Sequence, residues 1–356
     1  MRSSLLGDSL IEALRLGKYA FGMVKIADVA AHAGVAMSTV SYVLSGKRPI
    51  SEQTRKRVLS SIRALGYHPH AGARALASNR SNVIALVIPL RTGVHVPVVM
   101  QFVVSVVTSA RRYDHDVLLV TQDEGERGLR RVAGGAIADG LLVMDVELRD
   151  VRIPVLRSLS RPSVLIGFPE DAAGLTCIDL DFAAAGALCV DHLADLGHRH
   201  VGLVGSPRAV YERRTGFAER LLAGVDEAAA RRGVTARMHS CEPSPEAALA
   251  TVEQLLREQP DLTGIVVHNE PALQPVLDAL RTLGRRVPED VSVVAVCPDE
   301  LAQHAAPAVS SVTIPAQEVG RQAVDLLMAK LEDEHVPAAT LLAPRLTRRV
   351  STAQAG

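Results

Sequence analysis

The sequence has no tryptophan, and aromatic residues make up only 3% of its 356 positions. Any core must therefore be packed from aliphatic side chains, which are plentiful because 48% of the chain is hydrophobic. No apolar run approaches the ~20 residues that a membrane-spanning helix needs, so we expect no membrane partner. The length favours two or three domains over a single small one.

Cysteine is also scarce, and its spacing excludes the common metal and redox motifs. None of the four cysteines forms a CxxC or CxxxC pair, and three of them lie in apolar runs. We therefore expect reduced, buried thiols in a cytosolic protein. The four are Cys177, Cys189, Cys241 and Cys297.

Residues 1–22 lack the compact apolar stretch and the small-residue cleavage site of a signal peptide. We expect them to be a disordered or mis-annotated extension, with Met23 as an alternative start. The predicted localisation is therefore cytoplasmic.

Motifs for catalysis and for cofactors are missing as well. Neither G-x-G-x-x-G nor G-x-x-x-x-G-K-[ST] follows a predicted strand, so dinucleotide and P-loop sites have no support. Asp179 and Asp181 are an alternative acid–base pair, but no nucleophile or partner base accompanies them. His192, His198 and His200 have metal-ligand spacing, yet they lie where a helix turns into a strand, so we expect His198 to cap the carbonyls of that helix end rather than to bind zinc. We predict no enzyme, no metal and no cofactor.

The charge is balanced but unevenly spread. The chain has 39 basic and 39 acidic residues, whereas residues 23–80 carry nine lysines and arginines against only Asp28 and Glu52. A basic head on an acidic body indicates phosphate contact by one domain only. The alternative is a chance cluster of charges on solvated helix faces.

The basic head contains the most informative pattern of the chain, KIADVAAHAGVAMSTVSYVL at 25–44. Apolar residues repeat at helical spacing on both sides of a short turn that contains Gly34. Two short helices joined by such a glycine turn are typical of a helix-turn-helix, whose second helix enters the DNA major groove. A third helix is predicted from the N-cap Ser51 to the stop signal Gly66.

The pattern changes at Asn82, where apolar runs of strand length begin to alternate with helix-length segments. Such runs indicate parallel strands that are covered by helices on both faces. The runs are VIALVIPL (83–90), VLLVTQ (117–122), GLLVMDV (140–146), PSVLIGF (162–168), HVGLVGS (200–206), GIVVHN (264–269) and VSVVAVC (291–297). Helices are predicted at 98–112, 183–196, 211–232, 245–258, 272–283 and 315–331. Their number suggests two Rossmann-like lobes, which bind ligands outside the carboxyl ends of their strands.

Six motifs then occur in order along the chain. They are KIADVAAHAGVAMSTVSYVLSG, ISEQTRKRVLSSIRALGYHPHAGARALASNRSNVIALVIP, HLADLGHRHVGLVG, GIVVHNEPAL, VPEDVSVVAV and SSVTIPAQEVGRQAVDLL. In this order the chain resembles the lactose-repressor (LacI/GalR) family of bacterial transcription factors over about residues 23–352. The resemblance implies a repressor with a helix-turn-helix headpiece, a hinge helix and a two-lobed effector domain of the periplasmic-binding-protein type. It also implies a homodimer that binds a pseudo-palindromic double-stranded DNA operator and responds to a small-molecule effector.

The resemblance assigns roles to residues of the headpiece. Met37, Ser38 and Tyr42 occupy positions where the family reads base edges, and they offer apolar contacts or a hydroxyl. Phosphate contacts are expected from Thr39, Ser41, Ser51, Thr54 and Arg55. The alternative is that these are plain surface positions, and Arg55 in particular fits a solvated helix face equally well. Ala36 replaces the usual serine cap and Tyr42 a common arginine, which argues for an unusual operator.

The segment ARAL at 73–76 matches the family's hinge helix. The resemblance implies that Leu76 wedges between base steps in the minor groove while Ala73 contacts its floor. Because Gly72 weakens this short helix, we expect it to fold only on DNA. A simple alanine-rich linker is the alternative.

The resemblance also implies effector contacts, although with departures. Asn269 and Glu270 match an Asn-Asp pair whose asparagine bonds effector hydroxyls. The family places an aspartate after a later strand, where this chain has Cys297, with Asp299 two positions on. The loss of that acceptor argues against a standard hexose.

The family's ligand-gripping arginine precedes a glycine at the start of a long helix. Taking Gly224 as that glycine selects Arg220, with Arg213 and Arg214 a turn or two earlier. Each of these effector candidates has the alternative role of a surface or capping residue.

The predicted fold class is α/β, with an N-terminal all-α helix-turn-helix headpiece and two Rossmann-like lobes. The predicted domains are an extension at 1–22, the headpiece at 23–66, the linker and hinge at 67–81, and the effector and dimerisation domain at 82–352. The first lobe is expected to contain about 82–178 and 310–332, and the second about 180–308 and 334–352, with crossovers near Asp179, Val309 and Asp333. No leucine heptads follow Ser351, so we expect a dimer rather than a tetramer.

Two other classes remain as alternatives. A solute-binding protein of a transport system shares the two-lobed body, but it needs an export signal and has no helix-turn-helix. An enzyme with a sugar-handling α/β fold needs a nucleophile–base pair or a phosphate loop, and neither is found.

Overall fold

A computed structural model describes residues 24–45, 48–67, 80–91, 95–135 and 137–356. The chain divides between Ser81 and Asn82 into two compact units. That division coincides with the predicted beginning of the two-lobed domain. The extension at 1–22 and the hinge segment at 73–76 lie outside the described residues.

The N-terminal unit contains three helices. They are α1 (Ile26–Ala33), α2 (Met37–Ser45) and α3 (Glu52–Leu65). Gly34 ends α1 and Gly66 ends α3, each in the left-handed conformation with φ near +60° that glycine adopts without strain. The hydrophobic core of this unit is formed by Val29, Ala30, Ala33, Val40, Val58 and Tyr67.

Helix α2 begins without a side-chain cap, as the sequence predicts. The backbone carbonyl of Ala36 accepts from the amides of Thr39 and Val40, but its side chain has no oxygen that could accept from a further amide. The first turn of α2 therefore leaves backbone donors open to a partner such as a phosphate. By contrast, Ser51 caps α3 because its Oγ accepts from the Thr54 amide at 3.3 Å.

The second unit contains two six-stranded sheets among its described residues. The first has the order β11-β5-β4-β3-β1-β2 and is parallel throughout. Its strands are β1 (Val83–Val87), β2 (Asp116–Val120), β3 (Gly140–Val143), β4 (Ser163–Ile166), β5 (Cys177–Leu180) and β11 (Ala339–Leu342). The second has the order β12-β10-β9-β8-β6-β7, with only β12 antiparallel. Its strands are β6 (His200–Gly205), β7 (Thr235–Ser240), β8 (Gly264–Val267), β9 (Ser292–Cys297), β10 (Ser310–Thr313) and β12 (Leu346–Thr347).

Helices cover both faces of each sheet, as parallel strands with buried faces require. In chain order they are α4 (Val96–Arg111), α5 (Gly125–Gly134), α6 (Ile153–Ser158), α7 (Phe182–Asp195), α8 (Arg208–Glu212), α9 (Gly216–Arg232), α10 (Pro245–Glu258), α11 (Leu273–Thr282), α12 (Asp299–His304) and α13 (Ala316–Leu331). Helices α4 and α13 pack together on the first sheet, and α7 and α9 on the second. No helix in the described part of the chain has the length and apolar character that crossing a membrane requires.

The predicted crossovers between the lobes are too early in the chain. The sequence predicts residues 310–332 in the first lobe, but strand β10 pairs with β9 and belongs to the second. It predicts residues 334–352 in the second lobe, but strand β11 pairs with β5 in the first. The chain therefore crosses between the lobes at 181, at 314–315 and at 343–345. The second and third crossovers lie later than predicted because β10 and β11 each complete a sheet before the chain changes lobe.

Candidate DNA-binding face and effector cleft

The first turn of α2 carries the exposed side chains that are predicted to read bases. Met37 is 55% exposed and Ser38 is exposed, whereas Val40 is fully buried against the other two helices. Tyr42 lies half-buried one turn further along, and the guanidinium of Arg48 lies 5.1 Å from its ring centroid. This cation–π contact brings a positive charge beside the predicted reading face.

The residues predicted to contact phosphate are accessible to different degrees. Thr39 and Ser41 are half-buried, and Arg55 is exposed. Ser51 is exposed, but its hydroxyl is already engaged, because it caps α3 and donates to Thr54 Oγ1 at 2.9 Å. The predicted hinge contacts Ala73 and Leu76 lie in the part of the chain that is not described.

A cavity of about 420 Å³ lies between the two sheets of the second unit. Its lining comes from the segments that follow the strands, which is where parallel α/β sheets bind ligands. From the first lobe these include Ile88, Met144, Asp145, Ile166 and Asp179, with His95, Val98, Val99 and Phe102 of the α4 region. From the second lobe they include Ser206, Arg213, Phe217, Glu242, His268, Asn269 and Glu270.

Asn269 and Glu270 both line this cavity, where the sequence predicts effector contacts. The Asn269 Nδ2 donates to the carbonyls of Cys241 at 2.6 Å and Gly205 at 3.3 Å. Since both amide hydrogens are used, only its carbonyl oxygen remains to accept from a ligand. Burial raises the pKa of Glu270 to about 7, so this carboxyl exchanges its proton near neutrality.

Three of the predicted effector residues lie outside the lining of this cavity. Arg220 instead pairs with Asp179 at 3.2 Å and lies 5.0 Å from the Phe168 ring centroid. Cys297 is buried in the core of the second lobe. Asp299 begins the short helix α12, and its carboxylate pairs with the guanidinium of Arg349 within the fold.

The arginine that lines the cavity is Arg213 and not Arg220. The starting point of one helix explains the difference from the sequence prediction. The long helix α9 begins at Gly216, three residues after Arg213, and not near Gly224. Gly224 is instead needed for helix packing within the lobe. The spacing Arg-x-x-Gly between Arg213 and Gly216, followed by Phe217, is the signal in the sequence that points to Arg213 as the arginine of the cavity.

Asp179 lines the cavity at the boundary between the lobes. It does not form an acid–base pair with Asp181. Burial raises the pKa of Asp179 to about 7, although the Arg220 guanidinium opposes this shift. Asp181 caps α7 by accepting from the Ala184 amide at 3.0 Å. The two carboxylates therefore share Arg220 but have separate structural partners.

An aromatic cluster forms one wall of the cavity. The rings of Phe182, Phe217 and His268 lie with their centroids 5.6 to 5.8 Å apart. Burial lowers the pKa of His268 to about 4, so its imidazole is neutral at physiological pH. Its Nδ1 is buried and has no partner within the described residues, and the same holds for Nδ1 of His95. A ligand that offers hydrogen bonds would satisfy these buried atoms.

The remaining candidate constellations have structural roles. His198 bonds Thr263 Oγ1 at 2.8 Å and the Ala353 carbonyl at 3.1 Å, so the carbonyl that its side chain contacts lies in the C-terminal segment and not at the helix end where the sequence predicts it. His192 bonds Thr352 Oγ1 in the same C-terminal segment. No group of three or more metal-ligating side chains is found within the described ranges. All four cysteines are free and buried, as predicted.

A compact helix-turn-helix unit followed by a two-lobed body with a cleft between the lobes defines a class of protein, the ligand-responsive DNA-binding regulators. Residues 25–70 match the model of the bacterial regulatory proteins of the lacI family. Residues 190–352 match that of the periplasmic binding protein-like domain.

Individual proteins give the same result. The chain is 29% identical over 320 residues to the transcriptional regulator CelR of Thermobifida fusca, covering 86% of this chain and 91% of that protein. It is 26% identical to catabolite control protein A of Priestia megaterium, covering 92% and 99%. Among solved structures, a CelR–cellobiose complex matches with a TM-score of 0.66 at 27% identity, covering 92% of this chain and 99% of that one. The operator-bound Lac repressor dimer shares the fold, with a TM-score of 0.80 at 23% identity over 93% of this chain and all of that one.

The chain belongs to the lacI family of bacterial transcriptional regulators. The predicted family, the predicted fold class and the prediction of a DNA-binding regulator are thereby confirmed. The enzyme alternative is excluded because the family consists of transcriptional regulators.

Proposed function

We propose that this protein is a cytoplasmic repressor that binds a pseudo-palindromic operator as a homodimer and releases or tightens on it when a small molecule occupies the cleft. The observation that carries the proposal is the first turn of α2, where Met37 and Ser38 are exposed on a basic three-helix unit. The cleft supports the second half, since its unpartnered histidine nitrogens require a ligand or water. A transport function has no use for the helix-turn-helix unit.

We propose that Met37, Ser38 and Tyr42 read bases while Arg55, with Thr39, Ser41, Ser51 and Thr54, positions the unit on phosphates. The decisive experiment is selection of bound duplexes from a random pool by the purified full-length protein. An enriched inverted repeat supports the proposal, and its spacing gives the dimer geometry. Recovery of no enriched sequence at moderate salt contradicts it.

Two substitutions separate base reading from phosphate contact in the same selection. We expect Met37→Ala to lower the preference at one base pair of each half-site by about tenfold, because an apolar base contact is lost. We expect Arg55→Ala to weaken all duplexes alike and to reduce the salt dependence by about one phosphate contact per subunit. Arg63→Ala, at the far end of α3, is the control and should leave both quantities unchanged. Equal profiles for Met37→Ala and Arg55→Ala would contradict the assignment.

The first lobe presents an apolar surface that supports the homodimer. This surface, the α4 face, consists of residues of α4 spaced three or four apart together with Leu119 of the edge strand β2. Its members are Val96, Met100, Val104, Val107 and Leu119, which are all exposed in the single chain. Contiguous exposed aliphatic residues on a helix and an adjacent sheet edge mark an interaction site. We assign a second copy of this chain as its occupant, since a two-fold dimer matches a pseudo-palindromic operator.

The dimer assignment is tested at the centre of the α4 face. Val104, which is 57% exposed, should tolerate glutamate in the folded monomer, but two such charges would be buried together in the dimer. We expect Val104→Glu to raise the dimer dissociation constant at least a hundredfold, measured by sedimentation velocity over a dilution series. Val350→Glu, at an exposed valine of the second lobe, is the matched control and should sediment as the wild type does. A Val104→Glu protein that stays dimeric would remove the α4 face from consideration.

We propose Asn269, Glu270 and Arg213 as the polar contacts of the effector. The first-lobe wall is mostly aliphatic apart from His95, Asp145 and Asp179, whereas the second-lobe wall carries most of the polar groups. Such a cleft favours a metabolite with one apolar face and one hydrogen-bonding face over a fully hydroxylated hexose. Isothermal titration of the purified protein with candidate metabolites tests this, and an Asn269→Leu variant that still binds would contradict the contact.

A further inference from the structure

The two lobes are joined beside the cleft by more than their three crossovers. Residues 146–148 of the first lobe run antiparallel to residues 214–216 of the second, with Glu147 opposite Thr215. The Leu148 amide donates to the Arg214 carbonyl at 2.9 Å, and the Gly216 amide donates to the Val146 carbonyl at 2.9 Å. We call this pairing, with the side chains described next, the lobe clasp.

The carboxylate of Glu147 lies between two arginines that belong to different lobes. Its Oε1 is 2.5 Å from Nη1 of Arg91 in the first lobe and 3.9 Å from Nε of Arg213 in the second. Arg91 is itself held by Asp123 at 2.8 Å and Asp145 at 3.3 Å. Because Glu147, Arg91 and Arg213 are each mostly buried, solvent screens their attraction less than it does at the surface.

The two backbone segments of the lobe clasp pack closely against each other. A Cβ on Gly216 would lie 2.6 Å from the Phe168 carbonyl oxygen and 3.2 Å from that of Val146, so only glycine lets the two segments approach this closely. Two backbone hydrogen bonds alone contribute little net free energy to the contact between the lobes. The ion pairs of Glu147 with Arg91 and Arg213 are therefore positioned to contribute to the stability of this backbone pairing.

We propose that Glu147 is a positioning residue that fixes the cleft arginine Arg213 against the first lobe, and that it thereby couples occupation of the cleft to closure of the lobe clasp. Arg213 lines the cavity and also faces Glu147, so a ligand that binds its guanidinium acts on the same contact that joins the lobes. The part concerning the ligand rests on the proposed effector function. The part concerning the clasp does not, because it is defined by contacts within the chain.

Hydrogen–deuterium exchange on the full-length protein tests the clasp directly. We expect Glu147→Gln to raise the exchange rates of the Leu148 and Gly216 amides at least tenfold, while amides of β6 and β8 keep their wild-type rates. Glu147→Asp, which keeps the charge, should recover part of the protection. Glu124→Gln is the matched control, since Glu124 pairs with Arg131 within the first lobe alone.

Each outcome has a distinct meaning. Unchanged exchange at Leu148 and Gly216 in Glu147→Gln, or an equal rise throughout the second lobe, would overturn the positioning role. Arg213→Gln approaches the contact from the other lobe and should open the same two amides, with no further increase when it is combined with Glu147→Gln. An additive double variant would also overturn it. Because these measurements need neither operator nor effector, failure of the operator selection would leave their result unaffected.

Discussion

Replacing Gly224 with alanine is expected to destabilise the body of the protein by about 3 kcal/mol, the upper end of the usual cost of overpacking. Helices α7 and α9 cross in direct backbone contact at this point. A Cβ on Gly224 would lie only 1.9 Å from the Ala183 carbonyl oxygen, and one on Gly186 would lie 2.4 Å from that of Leu221. These obstacles are backbone atoms, so no side-chain rotation relieves the clash and the helices must separate. Urea unfolding followed by far-ultraviolet circular dichroism measures the loss.

The control for this substitution is the same chemical change at an open position. Gly134 is an exposed residue at the end of α5, and nothing lies within 4 Å of the position that its Cβ would take. We expect Gly134→Ala to leave stability unchanged or to raise it by up to about 1 kcal/mol, because alanine favours the helix. If Gly224→Ala unfolds at the same urea concentration as Gly134→Ala, the close crossing is not needed for stability.

The sequence predicts the strands that lie in continuous aliphatic runs and misses the others, for a physical reason. Central strands such as β1 and β9 are buried on both faces and read as continuous aliphatic runs. The edge strand β7 is TARMHS, whose side chains alternate between exposed and half-buried positions. Strands β10, β11 and β12 are two to four residues long, which gives no periodicity to detect. The predicted crossovers differ most from the observed ones at β10 and β11.

The position of the cleft could be predicted from the sequence, but the full set of residues that line it could not. Its location follows from the rule that parallel sheets bind ligands at the carboxyl ends of their strands. Asn269 and Glu270, which follow β8, came from the family resemblance and not from this rule. The predicted helix over 211–232 is in fact broken, with Arg214 at φ +53° between α8 and α9. That break directs Arg213 into the cavity, and a continuous apolar periodicity does not reveal it. Nor does the sequence show which histidines are buried without partners, since this depends on contacts between distant segments.

The second large effect is expected at the buried ion pair beneath the cavity wall. Arg152 is 2% exposed and Asp150 is 7% exposed, and the Arg152 Nη2 lies 2.6 Å from Asp150 Oδ2. The same Nη2 donates to the carbonyls of Met144 and Asp145, which hold two cavity-lining residues in place. We expect Asp150→Asn to destabilise the protein by about 3–5 kcal/mol at pH 7, because it leaves the arginine charge buried without its counter-charge. Urea unfolding at pH 7 measures the change.

The pH dependence of the Asp150→Asn effect distinguishes lost charge from lost shape. Burial raises the pKa of Asp150, but the hydrogen bonds and charge of Arg152 outweigh it and hold that pKa below its usual value. A carboxylate with a lowered pKa stabilises the fold above its unfolded-state pKa, and this contribution disappears as the pH falls through the folded-state pKa. The difference between wild type and Asp150→Asn should therefore be constant near neutrality and shrink below about pH 4. Asp290→Asn, which disrupts an exposed pair with Arg286, is the control, and its effect should be much smaller because solvent screens that pair. A loss that is equally large at pH 7 and at the acid end would mean that the side chain acts through packing, and the cavity wall would then not depend on the buried charge.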